Sequence, residues 1–203
     1  RLADVLAGIE AAAAAGLAPV KVNAVLARDS NLREAPDLLG WALRGGYELR
    51  FIEHMPIDGG HTWTRAAMVT AEEILALLGQ HYALEPLGHG GASAQAPAEE
   101  FDVIDGPGRA GWSCGAHRVG IIASVTRPFC RDCDRLRLTA DGQLRTCLFA
   151  RGETDLRSPL RAGASEAELR SIIVTAVAGK QAGHGIGDAD FVQPVRPMSA
   201  IGG

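Results

Sequence analysis

The chain has 203 residues, 47% of them hydrophobic, with a formal net charge of −4 at pH 7, enough material for one sizeable core or two small ones. No run of about 18 apolar residues occurs, so no membrane span is expected, and a pI near 5.9 argues against a general nucleic-acid binder, whose footprint would be basic. Four cysteines, three of them close together, argue against a secreted disulfide framework and for a reducing compartment, the cytoplasm.

Leu2, Val5, Leu6 and Ile9 recur at helical spacing, and Gly16 can end that helix. The alanine run 11–15 follows Glu10 and belongs to this helix, not to a signal peptide. Residues 19–26 then read as a strand rich in branched side chains. A second helix over 34–44 stops at Gly45 and Gly46, and 47–53 is a second strand. Thr70 with Glu73 forms a capping box opening a helix through Leu78, with Ile74, Leu75 and Leu78 on its buried side. This alternation predicts βα units and a parallel sheet.

Chemistry in such sheets gathers at the carboxyl ends of strands, which directs attention to Lys21 and Asn23 in the first strand and to Arg50, Glu53 and Met55 at the end of the second. A lysine inside an apolar strand is either an anion clamp or a partly exposed strand residue. Met55, by residue type, is first a core residue.

Residues 88–100, rich in Gly, Ala and Pro, read as a surface loop and a boundary, flanked by a hairpin over 82–87 and 101–104, with His89 exposed. Residues 118–123 form a short strand. After them come Cys130, Cys133 and Cys147 in a C-x2-C-x13-C array. Residues 136–139 alternate as a strand, Asp141-Gly142 is a tight-turn pair, and 143–148 can run back antiparallel, so Cys147 returns toward the C-x2-C turn. Further on, Ser165 with Glu168 caps a helix with Leu169, Ile172, Ile173, Ala176 and Val177 on its buried side, ended by Gly179.

Three cysteines fit two kinds of centre. A zinc ribbon takes four protein ligands, the fourth here being Cys114, His117 or His184. A four-iron cluster held by three thiolates keeps one iron open, and spacing alone does not choose between them. Between 127 and 151 six arginines (127, 131, 135, 137, 145, 151) face three aspartates (132, 134, 141), a local excess of three positive charges in an acidic chain. By strand alternation Arg135 and Arg137 share a face beside the cysteines. Their forks match phosphate or carboxylate oxygens, although solvated strand charges or counterions to thiolates are the plain alternative.

The run FCRDCDRLRLTADGQLRTCLF resembles the second cluster motif of the GTP 3′,8-cyclases, radical S-adenosylmethionine enzymes of molybdenum cofactor biosynthesis; Asp134 stands where that family usually has Asn. Residues 19–26 and 48–57 resemble two barrel strands of the same family, and the tail F-x-Q-x-x-R-x-M-S-x-I-G-G resembles its end. The resemblance implies a fold of later βα units of an incomplete parallel, TIM-like barrel (residues 1–88), followed by a C-terminal α+β segment (89–203) carrying an iron-sulfur cluster.

It implies a lyase that converts GTP to (8S)-3′,8-cyclo-7,8-dihydroguanosine 5′-triphosphate with a deoxyadenosyl radical. Cys130, Cys133 and Cys147 would hold a [4Fe-4S] cluster with one open iron, to which guanine binds. Lys21, Arg135 and Arg137 would hold GTP, Met55 and, more weakly, Arg50 would meet S-adenosylmethionine, and Gly202 and Gly203 would reach into the active site beside the substrate, where with Arg135 and Arg137 they make up the expected catalytic set. Expected partners are GTP, S-adenosylmethionine and a second copy of the chain, with no nucleic acid and no membrane. The C-x3-C-x2-C loop of the cofactor-cleaving cluster has no counterpart here and the chain begins at Arg1. The expectation is therefore a C-terminal portion of a longer protein, which by itself at best binds a cluster and GTP. The competing readings are a zinc-ribbon interaction module and an inactive remnant that binds cluster and GTP.

Overall fold

Residues 19–53 fold close to their spacing. Strand β1 (Lys21–Leu26) leads through a 3-10 turn into helix α2 (Ala35–Gly45), which follows an amino-terminal helix α1 (Leu2–Ala14) and carries Pro36 in its first turn. Gly46 stops α2 in the left-handed region at φ 70°, which a side chain disfavours, and β2 (Glu48–Glu53) follows. The computed structural model describes all residues except 61, 90–95, 114–116, 182, 184, 187, 189–190 and 202–203, with backbone only at 88, 89 and 132.

Two units result, the first Arg1–His54 with Ala66–Arg127, the second Met55–Arg65 with Pro128–Gly203. The boundary expected at 88/89 differs from this division. It falls within the hairpin of β3 (Ala83–His89) and β4 (Glu99–Asp105), and those strands complete the sheet of the first unit.

That sheet has the order β1-β2-β5-β4-β3, where β5 is Arg118–Ile122. β1, β2 and β5 run parallel, from Lys21 opposite Glu48 to Leu26 opposite Glu53, and from Leu49 opposite Val119 to Ile52 opposite Ile122. β4 and β3 are antiparallel, as a hairpin must be, so the sheet is mixed and not purely parallel. Helix α3 (Ala71–Leu78) begins with the expected Thr70–Glu73 capping box. Leu39 and Leu43 of α2 and Ile74 and Leu78 of α3 bury against Leu49, Phe51, Val119 and Ile121, and removing the fully buried Phe51 ring would cost about 3–5 kcal/mol. Helix α1 forms where the spacing places it, yet buries none of its residues.

The second unit is built on a three-stranded sheet, β6 (Arg137–Leu138), β7 (Gln143–Arg145) and β8 (Thr154–Asp155), followed by the short helix α4 (Arg157–Arg161) and helix α5 (Glu166–Ala178). The capping box of Ser165 and Glu168 is present. The buried side expected for α5 is not. Leu169, Ile172 and Ala176 are half-covered while Ile173 and Val177 are exposed. Among the described residues no helix is long and apolar enough to cross a membrane.

Candidate metal centre

The C-x2-C segment is wound by a single 3-10 turn, Cys130–Asp132, closed where the Cys133 N–H donates to the Cys130 carbonyl at 3.3 Å. The chain then extends into β6, turns at Asp141 and Gly142, and returns as β7 with Arg137 opposite Arg145. Gly142 sits at φ +82°, the left-handed position the turn requires, and a Cβ there would lie 2.6 Å from that of Arg157. Thr139 braces the turn, its N–H donating to the Gln143 carbonyl at 3.0 Å and its hydroxyl to Asp141. Two residues past β7 comes Cys147, whose sulfur accepts the Phe149 N–H at 3.4 Å.

All three cysteines are half-buried free thiols. Burial first, then the neighbouring Cys147 and Cys133, push the Cys130 thiol up, so the three lie within electrostatic reach of one another. Burial also works to raise Cys133, but hydrogen bonds from the Arg135 N–H and guanidinium, with the charges of Arg135 and Lys180, outweigh it and hold this thiol below its ordinary value. Among the described residues no three His, Cys, Asp or Glu side chains form a group set to hold a metal ion. The tight convergence expected of the three thiols is therefore a looser gathering. Unbridged, half-buried sulfurs flanked by two cations are a donor set that fits a thiolate-bound cluster, in which each cysteine serves a different iron.

The arginines divide. Arg135 is exposed and lies over the Phe129 ring at 4.5 Å. Arg137 is half-buried, donates to the Ile201 carbonyl at 3.5 Å, and is held below its usual value by burial and by the charge of Arg135. The two guanidinium groups thus feel each other's charge, and the Arg135 guanidinium bonds Cys133. Arg145 does something else: almost fully covered, it pairs with Glu153 and donates to the carbonyls of Leu148 and Ala150. In the first unit Arg127 is paired with Glu99 at 3.0 Å. A cavity of about 650 Å³ opens beside Cys147, lined among others by Thr146, Phe149, Arg151, Gln181 and Phe191.

Other expected site residues are placed as follows. Lys21 is the first residue of β1, at its amino end, 43% exposed and paired with Glu48 at 3.0 Å. The carboxyl-end position expected for it is corrected, while its exposure is that of a strand lysine, on the same parity as the other exposed residues of an edge strand. Arg50 lies mid-strand opposite Gly120, whose missing Cβ leaves room for it: a Cβ there would sit 3.0 Å from Arg50 Cγ. Met55 is half-buried in the second unit. The ring of His117 is bonded to the Ser113 carbonyl at 2.8 Å within the first unit. His89 is described by its backbone alone, and Cys114, His184, Gly202 and Gly203 lie outside the described residues.

Sequence reasoning noted Glu53 only as a strand end. It is fully buried and accepts from the N–H groups of Ala71 (2.8 Å), Val125 (2.8 Å) and Thr126 (2.9 Å). Its signal was present, a carboxylate on the same strand parity as Leu49 and Phe51. Lys180 was missed, with no local pattern to mark it, and Arg196 stood in the tail pattern with no role assigned to it.

Residues 47–186 match the family model described as Molybdenum Cofactor Synthesis C. Among curated proteins the chain is 56% identical over 203 residues to a "GTP 3′,8-cyclase" of Mycolicibacterium smegmatis, covering 100% of this chain and 54% of that protein. To the protein of the same name from Streptomyces coelicolor it is 56% identical over 200 residues, covering 98% of this chain and 56% of the relative. To that of Rhodococcus opacus it is 53% identical over 203 residues, covering 100% and 54%. The chain thus spans about half the length of the curated relatives it matches. With the model matching well over half its length, the chain belongs to the Molybdenum Cofactor Synthesis C family.

Proposed function

We propose that this chain forms part of a GTP 3′,8-cyclase, a radical S-adenosylmethionine lyase that converts GTP to (8S)-3′,8-cyclo-7,8-dihydroguanosine 5′-triphosphate at the first step of molybdenum cofactor biosynthesis. The observation that carries this reading is one hairpin with three unbridged cysteines, Arg135 bonded to Cys133, and Arg137 two residues further along the same arm. Relatives bearing the cyclase name, 50–56% identical along the chain, support it.

Cys130, Cys133 and Cys147 would hold a [4Fe-4S] cluster. When bound, that cluster supplies an iron without a protein thiolate, open to a donor atom of the substrate. Arg135 and Arg137 do the binding work at this hairpin: two planar forks can take phosphate oxygens in pairs, and the anion's charge offsets the repulsion between them. Holding a nucleotide at several points fixes which C–H bond faces a radical, and such orientation is a large part of catalysis. The tail is anchored nearby in the same unit, through the Met198 N–H to the Ile57 carbonyl at 2.9 Å and through buried Ile201. It carries Gly202 and Gly203, which we assign to the active site because glycines admit close approach.

Lys21 is carried as a GTP-phosphate ligand, and Arg50 and Met55 are each carried as a contact of S-adenosylmethionine. The parallel strands β1, β2 and β5 are read as later strands of a barrel, completed in the full enzyme together with a second [4Fe-4S] cluster. The enzyme is read as cytoplasmic, with a second copy of the chain as partner. Equilibrium binding of GTP tests the reading. Arg135→Ala and Arg137→Ala should each weaken binding about 10–100-fold, the loss of a charge-assisted hydrogen bond worth about 1.5–3 kcal/mol; unchanged affinity in both overturns it.

A further inference from the structure

Helix α5 ends at Ala178, and the turn after it presents Lys180, whose own N–H closes on the Val177 carbonyl at 3.0 Å. A lysine at a helix C-terminus usually serves the last carbonyls of its own helix. This half-buried ammonium goes elsewhere. Nζ donates to the carbonyl of Arg135 at 2.9 Å and to that of Thr146. Arg135 is two residues past Cys133, and Thr146 immediately precedes Cys147.

The position matters because the ladder of the cysteine hairpin is short. β6 and β7 pair as Arg137 with Arg145 and Leu138 with Leu144, and the described pairing goes no further toward the cysteines. Among the described residues the paired ladder stops at Arg137 and Arg145, and past its end the ammonium bridges one carbonyl from each arm. Its charge also reaches the thiols, acting on both Cys130 and Cys133 to lower them. An ammonium has three donors, so two carbonyls leave one for an anionic neighbour. Thiolates carrying a cluster are anionic and become more so on reduction, and charge and hydrogen bonds near the sulfurs are what set a cluster's potential.

We propose that Lys180 is a positioning residue of the cysteine centre, tying the Cys130–Cys133 arm to the Cys147 arm and supplying a fixed positive charge that retains a bound iron-sulfur cluster and raises its reduction potential. This rests on the reading of the centre as a cluster site.

The test compares wild type with Lys180→Met, Lys180→Gln and Lys180→Arg, each reconstituted anaerobically with iron and sulfide. Three quantities are read: iron and acid-labile sulfide per chain, the rate of iron loss to a chelator, and the midpoint of a redox titration followed by electron paramagnetic resonance. Loss of an outer partner of a metal ligand typically costs about 10–100-fold in retention. K180M should therefore release iron at least about tenfold faster than wild type. K180Q, which keeps two donors without the charge, should hold iron better than K180M but titrate at a more negative potential, and K180R should restore the potential toward wild type. If K180M fails to fold, K180Q against K180R decides: equal potentials and equal iron loss overturn the proposal. Wild-type behaviour of a folded K180M in all three measurements overturns it too, while leaving the cluster reading intact. A wild-type protein carrying zinc and no sulfide overturns the cluster reading and the proposal together.

Discussion

Arg196 grips Asp141 through two hydrogen bonds, Nη1 to Oδ1 at 3.1 Å and Nη2 to Oδ2 at 2.6 Å, across 55 residues of sequence. Asp141 is the residue that turns the cysteine hairpin, so the tail of the chain holds the hairpin at its bend. The Arg196 Nε also reaches Glu153 at 3.0 Å, and Glu153 pairs with buried Arg145. The hydrogen bond from Arg196, then that from the Thr139 hydroxyl, hold the Asp141 carboxyl far below the usual carboxylate range. A two-pronged guanidinium–carboxylate pair fixes orientation as well as attraction.

Arg196→Ala should release the tail without unfolding the hairpin. Amide hydrogen exchange at residues 198–201 should quicken, while exchange in β7 keeps its wild-type rate. Arg196→Lys, which offers a point charge in place of a fork, should behave like the alanine variant. Equal exchange at 198–201 in all three proteins would contradict this anchoring.

Glu53 is the buried group whose removal should be most costly. Glu53→Ala leaves the N–H donors of Ala71, Val125 and Thr126 without their acceptor in a dry place. At about 1–3 kcal/mol for each stranded donor, the loss is about 3 kcal/mol or more. Urea unfolding should give a markedly lower midpoint, with Glu53→Gln intermediate because its amide keeps one acceptor oxygen. A loss under about 1 kcal/mol for Glu53→Ala would show that these donors find other partners.

Asp58 sets a window in acid. Burial pushes its carboxyl up, but the Thr62 N–H, the Thr62 hydroxyl and the Gln193 side chain outweigh that and bring it from 3.8 down to about 2. A carboxyl lowered by folding stabilises the fold above its unfolded value, and that stabilisation fades as pH falls through the folded one. The gap in thermal midpoint between wild type and Asp58→Ala should therefore be constant above about pH 5, shrink as pH falls below 3.8, and close near pH 2. A gap that stays constant down to pH 2 would contradict the assignment.

Gly142→Ala should damage the hairpin locally. Its φ of +82° and the 2.6 Å approach to the Arg157 Cβ penalise any side chain, and the left-handed backbone alone costs about 1–2 kcal/mol. The expected readout is a lower unfolding midpoint with faster thiol alkylation at Cys147. No change in either would place the turn outside the site's support.

What was legible in the sequence was local. The capping boxes at Thr70 and Ser165, the Asp141-Gly142 turn and the C-x2-C turn each depend on residues within a few positions, and each formed where the spacing put it. What was not legible depends on distance along the chain. The bonds of Lys180 cross 45 and 34 residues and that of Arg196 crosses 55, and nothing beside either residue announces its partner. Helix α5 shows the converse failure. Its apolar spacing is regular, but periodicity says which face can be buried and not how much surface there is to cover it.

Cys130, Cys133 and Cys147 are proposed to hold a four-iron cluster. Measuring iron, acid-labile sulfide and zinc on anaerobically isolated protein tests it most directly. The expected result is a brown protein with about four irons and about four sulfides at this site, lost when any one of the three cysteines is replaced by serine. A colourless protein with one zinc per chain and no sulfide would contradict it.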